Sequence, residues 1–290
     1  MPGPHLPLTP ALQQQLAAWL QEDLGRGDLT AAALEGASGR AHWIANAEGV
    51  FCGGVLLEPL FRLLDPEVRV HRLVADGQPI GSGQRLLELE GTAAALVAGE
   101  RTALNLAMRL SGIATATAQL AAALEGTGVG LADTRKTTPG LRVLEKYAVR
   151  CGGGINHRLG LDDAAMLKEN HLAWAGGIRP AVAAVRASAP WPARLIVEAE
   201  TAEEAEAALR AGADGVLLDE FTPEQLSGLV PRLRTLAAER GAPVLLEASG
   251  VQPEQLQAYA GTGIDLISSS APITRSPWLD LSMRFTLPWT

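Results

Sequence analysis

Between positions 133 and 171 the sequence gathers residues suited to holding a small polyanion. The stretch reads Asp133-Thr-Arg-Lys-Thr-Thr-Pro-Gly140, then Cys151-Gly-Gly-Gly-Ile-Asn-His157-Arg158, then Met166-Leu-Lys168-Glu-Asn-His171. The chain's lysines, Lys136, Lys146 and Lys168, all fall inside it, while arginine carries the positive charge elsewhere. A chain that defaults to arginine and places lysine only here needs a compact ammonium there. From Asp133 to Arg158 six Lys or Arg stand against two acids, in a chain of net charge −8. Surface charge alone would also give cations, but the Thr137-Thr138-Pro139-Gly140 turn and the Gly152–Gly154 run bend the chain where they cluster. Arg135, Lys136 and Arg158 are therefore read as an anion site, with arginine's planar fork suited to carboxylates.

The other candidates are weighed one by one. Lys168 offers either a Schiff base or a fixed positive charge, and so cationic a neighbourhood favours the second. Lys146, beside Glu145 in a helical stretch, reads as structural. His157, between Asn156 and Arg158, reads as facing a polar ligand rather than filling a core; the sequence leaves His171 open. Cys151 lacks an identifiable base, and Cys52 and Cys151 share no metal or redox spacing. Glu198 and Asp219 end successive apolar runs, where a carboxylate pair holds Mg²⁺, binds sugar hydroxyls or steadies a developing positive charge. Glu200 is set aside as pointing to the opposite strand face. Ser249-Gly250 and Ser268-Ser269-Ser270 precede helical stretches and offer N–H groups to a phosphate.

The elements that must position these residues follow from periodicity. Thr9-Pro10 caps a helix with Leu12, Leu16, Trp19 and Leu20 on one face. Strands are predicted over 40–51, 67–74 and 85–90, and a helix over 54–64, which makes a small α+β domain. A long helix over 92–110 follows; Gly112 bends or ends it and a second helix runs 114–124, so the domain boundary is set between 112 and 113. Beyond it, seven short apolar runs (129–135, 155–157, 165–168, 195–200, 215–219, 244–249 and 265–270) each end in polar residues and alternate with helices. Thr201–Glu204 and Thr222–Gln225 fit capping boxes, and Pro231 kinks or splits the helix that it interrupts. Runs this apolar imply a parallel sheet buried on both faces. Seven suffice for a barrel, and an open doubly wound sheet stays as the alternative. In a barrel the active site lies at the C-terminal strand ends, where the residues singled out above fall.

Composition bounds the rest. The chain has 290 residues, 47% hydrophobic and 19% charged, which fits one or two globular domains. Its acidity argues against nucleic-acid or anionic-membrane partners. No apolar run approaches a membrane span, and Met-Pro-Gly-Pro-His has no basic n-region, so a cytoplasmic protein is expected.

With these residues assembled, the sequence resembles the quinolinate phosphoribosyltransferases over most of its length. The resemblance is carried by Glu22-Asp-Leu-Gly with Gly27-Asp-Leu-Thr30, Gly99-Glu-Arg-Thr-Ala-Leu-Asn105, Ser111-Gly-Ile-Ala-Thr115, Asp133 to Arg142, Asn156-His-Arg158 and Lys168-Glu-Asn-His171. It implies a sandwich-like α+β domain over 1–112 and an incomplete, seven-stranded α/β barrel over 113–274, with 275–290 packing back on the first. It implies a homodimer, or a larger oligomer, in which the N-terminal domain of one subunit covers the barrel mouth of the other. Quinolinate would be bound by Thr134, Arg135, Lys136, His157 and Arg158, with Arg101 reaching in from the partner. Lys168 would contact anionic groups of the substrates. Glu198 and Asp219 would face the ribose of phosphoribosyl pyrophosphate and its Mg²⁺, and Ser249, Gly250, Ser269 and Ser270 its 5′-phosphate; no organic cofactor is implied. Three places depart from the family pattern: Val251 where a second glycine is usual, Ser269-Ser270-Ala271 with one extra residue before Ser276, and Glu220 where asparagine is frequent.

Overall fold

Thr9 opens the first helix. In the computed structural model, which describes residues 4–286, its hydroxyl accepts the N–H of Leu12 at 3.2 Å, and α1 runs Pro10–Leu24 with Leu12, Leu16 and Leu20 buried. The chain forms two units: Met1–Ala118 with Leu144–Gly153 and Arg275–Thr290, and Gln119–Val143 with Gly154–Thr274.

The first unit holds β1 (Ser38–Ala45), β2 (Gly49–Val50), α2 (Gly54–Arg62), β3 (Arg69–Arg72), β4 (Pro79–Ile80) and β5 (Arg85–Thr92). Its main sheet is antiparallel, in the order Leu281–Thr286, β1, β5, β3. Strand β1 shows why: Ala41, Trp43 and Ala45 are buried while their neighbours are not, the period-2 pattern of a sheet covered on one face. Helix α2 contributes Leu56, Leu57, Leu60 and Phe61 to the core and stops at Arg62, two residues before the predicted end. Of the C-terminal segment, residues 287–290 lie outside the described residues.

The break expected at Gly112 does not occur. Helix α3 is one continuous element, Ala93–Ala122. Gly112 is needed for room, not for bending: a Cβ there would lie 2.0 Å from the carbonyl oxygen of Pro277.

The second unit alternates strands and helices: β6 (Gly130–Ala132), α4 (Arg142–Cys151, shared with the first unit), β7 (Ala165–Leu167), α5 (Glu169–Ala175), α6 (Ile178–Ser188), β8 (Leu195–Ala199), α7 (Ala202–Ala211), β9 (Gly215–Leu218), α8 (Pro223–Glu239), β10 (Leu245–Ala248), α9 (Leu256–Ala260), β11 (Leu266–Ser268) and α10 (Ala271–Thr274). The strands form a parallel sheet in the order β6-β11-β10-β9-β8-β7. Beyond β6, Ala132 makes a parallel bridge with Ile155, the one trace of the run predicted at 155–157. Six strands and this bridge follow barrel order, and the ring stays open between Ile155 and β7; the incomplete barrel, rather than the doubly wound sheet, is the architecture. Capping sets the helix starts as predicted. Thr201 accepts from Glu204 N–H at 3.2 Å, and Thr222 and Gln225 complete a reciprocal box. Pro231 does not split α8, which runs unbroken through it.

Alternation along the strands separates the sheet's two faces. Leu195, Val197, Ala199, Val216, Leu218, Leu246, Ala248 and Ile267 belong to one apolar core. The alternate residues Glu198, Leu217, Glu247 and Leu266 therefore share the opposite, barrel-interior face, and they stand in register across β8, β9, β10 and β11.

Two helix glycines test the distinction between room and flexibility. Gly228→Ala, with open space around its Cβ position, should stabilise the protein by about 1 kcal/mol. Gly112→Ala should destabilise it by roughly 1–3 kcal/mol or more, because the helix must move off a backbone carbonyl. Urea unfolding of both variants checks the opposite signs.

Candidate active site

Every site residue predicted in the second unit lies at or just past the C-terminal end of a parallel strand. Asp133–Lys136 follow β6, Asn156–Arg158 follow the Ile155 bridge, Lys168 follows β7, Asp219 follows β9, Ser249 follows β10 and Ser269 follows β11; Glu198 is the penultimate residue of β8. Arg101 sits exposed on α3, in the first unit.

The loop after β6 is shaped by its own hydrogen bonds. Thr134 Oγ1 accepts the Lys136 N–H at 3.0 Å, and the Arg135 carbonyl accepts from Thr137 N–H at 3.0 Å. This tight turn leaves Arg135 and Lys136 exposed. Arg158 is instead buried, donating from Nη1 to the Ala164 carbonyl at 2.9 Å. Its basicity is lowered from the ordinary guanidinium value, first by burial and then by the charge of Arg135, against which Asp163 acts. Two guanidinium groups thus stand close enough to repel, which marks the place where an anion would be welcome.

Beneath them lies a network of which the sequence showed only parts. Asp133 is buried; its Oδ1 accepts the His157 N–H at 2.8 Å and its Oδ2 accepts Asn156 Nδ2–H at 2.7 Å. His157 Nδ1 accepts the Arg158 N–H at 2.7 Å. A backbone N–H can only donate, so this network assigns the ring proton to Nε2, which gives it to Glu247 Oε2 at 3.1 Å. His157, expected from the sequence to face a ligand, has both ring nitrogens hydrogen-bonded within the protein, and the ring holds Arg158 in place.

Glu247 was missed. It is 1% exposed, and its Oε1 has no hydrogen-bond partner. A signal was present in the sequence. Val197-Glu198-Ala199 and Leu246-Glu247-Ala248 repeat one pattern of a single acid inside an apolar run, and they occupy the same sheet face. Burying a charge there is costly unless it serves a purpose.

The acids are also engaged. Lys168 Nζ donates to Glu198 Oε2, and Ser249 Oγ donates to Asp219 Oδ1. Lys168 is thus paired with an acid, the contact that a fixed positive charge would make. His171, the undecided histidine, accepts the Lys168 N–H on Nδ1 at 3.1 Å and so secures the start of α5. Gly250 takes a left-handed backbone at φ 75°, Ser269 Oγ accepts from Ala271 N–H at 3.2 Å, and the Ser270 carbonyl accepts from Ile273 and Thr274. Val251 is buried in the apolar core. Glu220 is the one non-glycine among the described residues with a left-handed backbone, φ 58°. That region favours asparagine over glutamate, so the residue frequent in the family is the one this backbone prefers, and nothing in the structure explains the glutamate.

Glu200, set aside from the sequence, belongs to this neighbourhood. Strand β8 ends at Ala199, so the face rule no longer applies to it. Its carboxyl is raised above the usual range, first by Glu169, then by slight burial and by Glu204, Asp219 and Glu198. The mouth therefore carries cations on one set of loops and crowded acids on another.

Comparison with known proteins places this arrangement. Residues 28–111 match the N-terminal domain of quinolinate phosphoribosyl transferase and residues 113–284 its C-terminal domain. A probable carboxylating nicotinate-nucleotide pyrophosphorylase from Synechocystis is 44% identical over 283 residues, 97% of this chain and 93% of that protein. Its Bacillus subtilis counterpart is 42% identical over 278 residues, 95% and 94% of the two chains. The crystal structure of NadC from Streptococcus pyogenes superposes with a TM-score of 0.89 at 37% identity, covering 97% of this chain and 99% of that one.

Removing Glu247 tests the network. Glu247→Ala leaves the Nε2–H of His157 without its acceptor and should cost about 1–3 kcal/mol of stability. Glu247→Gln retains an acceptor and should cost less. Equal losses for the two variants in urea unfolding would show that the bond to His157 does not matter.

Proposed function

We infer the chemistry of the site from one premise: the chain belongs to the quinolinate phosphoribosyltransferase family. It is a decarboxylating phosphoribosyltransferase, taking quinolinate and phosphoribosyl pyrophosphate to nicotinate mononucleotide, pyrophosphate and CO₂ in de novo NAD synthesis. The observation that carries the reading on this chain is the repelling pair Arg135 and Arg158, in a protein otherwise acidic.

In our reading these two guanidinium groups take the two carboxylates of quinolinate, with Lys136 and the Thr134 hydroxyl beside them and Arg101 supplied by a partner subunit. His157 contributes by fixing the backbone at Arg158. A homodimer or larger oligomer with shared sites fits the exposed Leu159, Leu161 and Trp174, which lie on segments after the Ile155 bridge and β7. No helix among the described residues is long and apolar enough to cross a membrane, and we place the protein in the cytoplasm.

The ring nitrogen of quinolinate attacks C1 of the ribose, the bond to pyrophosphate breaks, and the 2-carboxylate then leaves as CO₂ while C2 takes a proton. Glycosyl transfer passes through an oxocarbenium-like state, and Glu198 and Asp219 are the acids that would stabilise it. Lys168, held on Glu198, supplies a cation for the anionic groups of the substrates. The 5′-phosphate is assigned to Ser249, Gly250, Ser269 and Ser270. Glu198, Asp219 and Glu200 make this end of the mouth acidic, the kind of oxygen donors a hard divalent cation takes. Mg²⁺ bound there, directly or through water, would neutralise charge on pyrophosphate. Charge on the quaternised ring nitrogen provides the electron sink for decarboxylation, so the reading needs no organic cofactor.

Release of pyrophosphate and CO₂ by the purified protein with quinolinate, phosphoribosyl pyrophosphate and Mg²⁺ tests the whole reading. Arg135→Ala removes a charge-assisted contact of about 1.5–3 kcal/mol, so quinolinate binding should weaken roughly 10–100-fold. Isothermal titration with quinolinate that finds near-normal affinity would remove Arg135 from the carboxylate site.

A further inference from the structure

The two cysteines, 99 positions apart and without motif spacing, meet inside the first unit. Cys52 is fully buried before α2, and Cys151, 7% exposed, ends α4. Asp76 joins them from the turn closed by Gln78 N–H on the Ala75 carbonyl. Their two Sγ atoms and one carboxylate oxygen all lie within 4.8 Å of one another. A tetrahedral site with Zn–S of about 2.3 Å has ligand–ligand edges of about 3.8 Å, so closure needs roughly an ångström of side-chain movement.

The surroundings hold these donors in place. Asp76 Oδ2 accepts from Gly53 N–H and from the Tyr147 hydroxyl, each at 2.9 Å, and Oδ1 accepts from Gly54 N–H at 2.8 Å. Cys52 is fixed through its backbone: its N–H donates to Ser111 Oγ at 2.9 Å, and that hydroxyl donates to the Cys52 carbonyl at 3.1 Å. Gly152, next to Cys151, is packed so closely that a Cβ would lie 2.3 Å from the Ala114 carbonyl. Hydrogen bonds that orient a carboxylate in this way are what ligating carboxylates require.

The charges point to a cation as well. Burial, then Cys151 and Asp76, push the Cys52 thiol well up; burial raises Asp76; burial, then Asp76, Cys151 and Cys52, raise Tyr147. Cys52, Asp76 and Tyr147 are thus each pushed up around one point, Cys52 and Tyr147 partly by their acidic neighbours. A divalent ion removes that conflict by taking the place of their protons.

We propose that Cys52, Cys151 and Asp76 form a binding site for a thiophilic divalent cation of the zinc and cadmium class, beside the Tyr147 hydroxyl. Two thiolates and one carboxylate suit such an ion and not Mg²⁺, which prefers oxygen ligands. Binding releases the two thiol protons, so affinity rises with pH. The ion ties the segment before α2 and the Asp76 turn to the residue from which the chain departs for Asn156-His157-Arg158. None of the three ligands belongs to the proposed catalytic machinery, so the site stands or falls apart from it.

The test uses the full chain, reduced, stripped of metal with a chelator and titrated with Cd²⁺. The expected result is a thiolate-to-cadmium charge-transfer band that saturates at one ion per chain. Thermal unfolding should shift up by about 5–10 °C at a hundredfold excess over Kd. Cys52→Ser and Cys151→Ser should each weaken binding at least a hundredfold, and Asp76→Asn about tenfold. Because a buried Cys→Ser variant can fail to fold, the wild type is also alkylated with and without Cd²⁺, and the ion should protect both thiols. Absence of the band, a band unchanged in either cysteine variant, or unprotected thiols would overturn the proposal. So would a Cys52–Cys151 disulfide that forms in air and accounts for the pair without any metal.

Discussion

Two like charges held close, one of them buried, are unfavourable until something negative joins them. The proposed site depends on that constraint at Arg135, which is exposed, and Arg158, which is buried. The framework beneath holds Arg158 in place. Arg158 is fastened at its guanidinium by the Ala164 carbonyl and at its backbone by the His157 ring. That ring rests on Glu247, and the His157 N–H rests on Asp133. Two buried carboxylates thus act through the backbone and a neutral imidazole without meeting the guanidinium groups. Had either acid paired directly with Arg158, the anion site would already be filled.

Much of this was legible in the sequence because local chemistry carries it. Proline after Thr9, the Thr201 and Thr222 caps and the apolar runs ending in polar residues mark the elements by short-range rules that tertiary packing did not override. The strand-end rule then brought Arg135, Lys168, Glu198, Asp219 and Ser249 to one edge of a sheet. It works because parallel strands in a barrel all point the same way, so a one-dimensional position becomes a spatial one. Only the Ile155 run was overestimated, as a strand rather than a single bridge, since the short loop around three glycines leaves little chain to pair.

Illegible were the facts that depend on what a distant segment brings. Gly112 reads as a helix breaker until the Pro277 carbonyl is known to press on it. Cys52 and Cys151 read as unrelated until α4 returns one to the other. Glu247 failed for a different reason: a single acid inside an apolar run was absorbed into its surroundings. Glu198 and Glu247 are each the penultimate residue of their strands, so the position that singled out Glu198 was equally available for Glu247.

The paired acids and bases at the mouth make one further point. Lys168 is 41% exposed at its side chain and Glu198 10%, so water reaches the pair from the lysine side and screens what it adds to stability. The same holds for Asp219 and Ser249, a single hydrogen bond at a half-buried edge. These contacts are therefore better understood by what they prevent. Free carboxylates at this mouth would pair with whichever cation lay nearest, including Arg135 or Arg158. In the proposed reading, fastening Lys168 to Glu198 separates the acids from the guanidinium pair and keeps the cations available to two substrates, one a dicarboxylate and the other a phosphorylated sugar. The exchange on binding is then charge for charge, with little new ordering of side chains, and preorganisation of that kind leaves binding energy for the transition state.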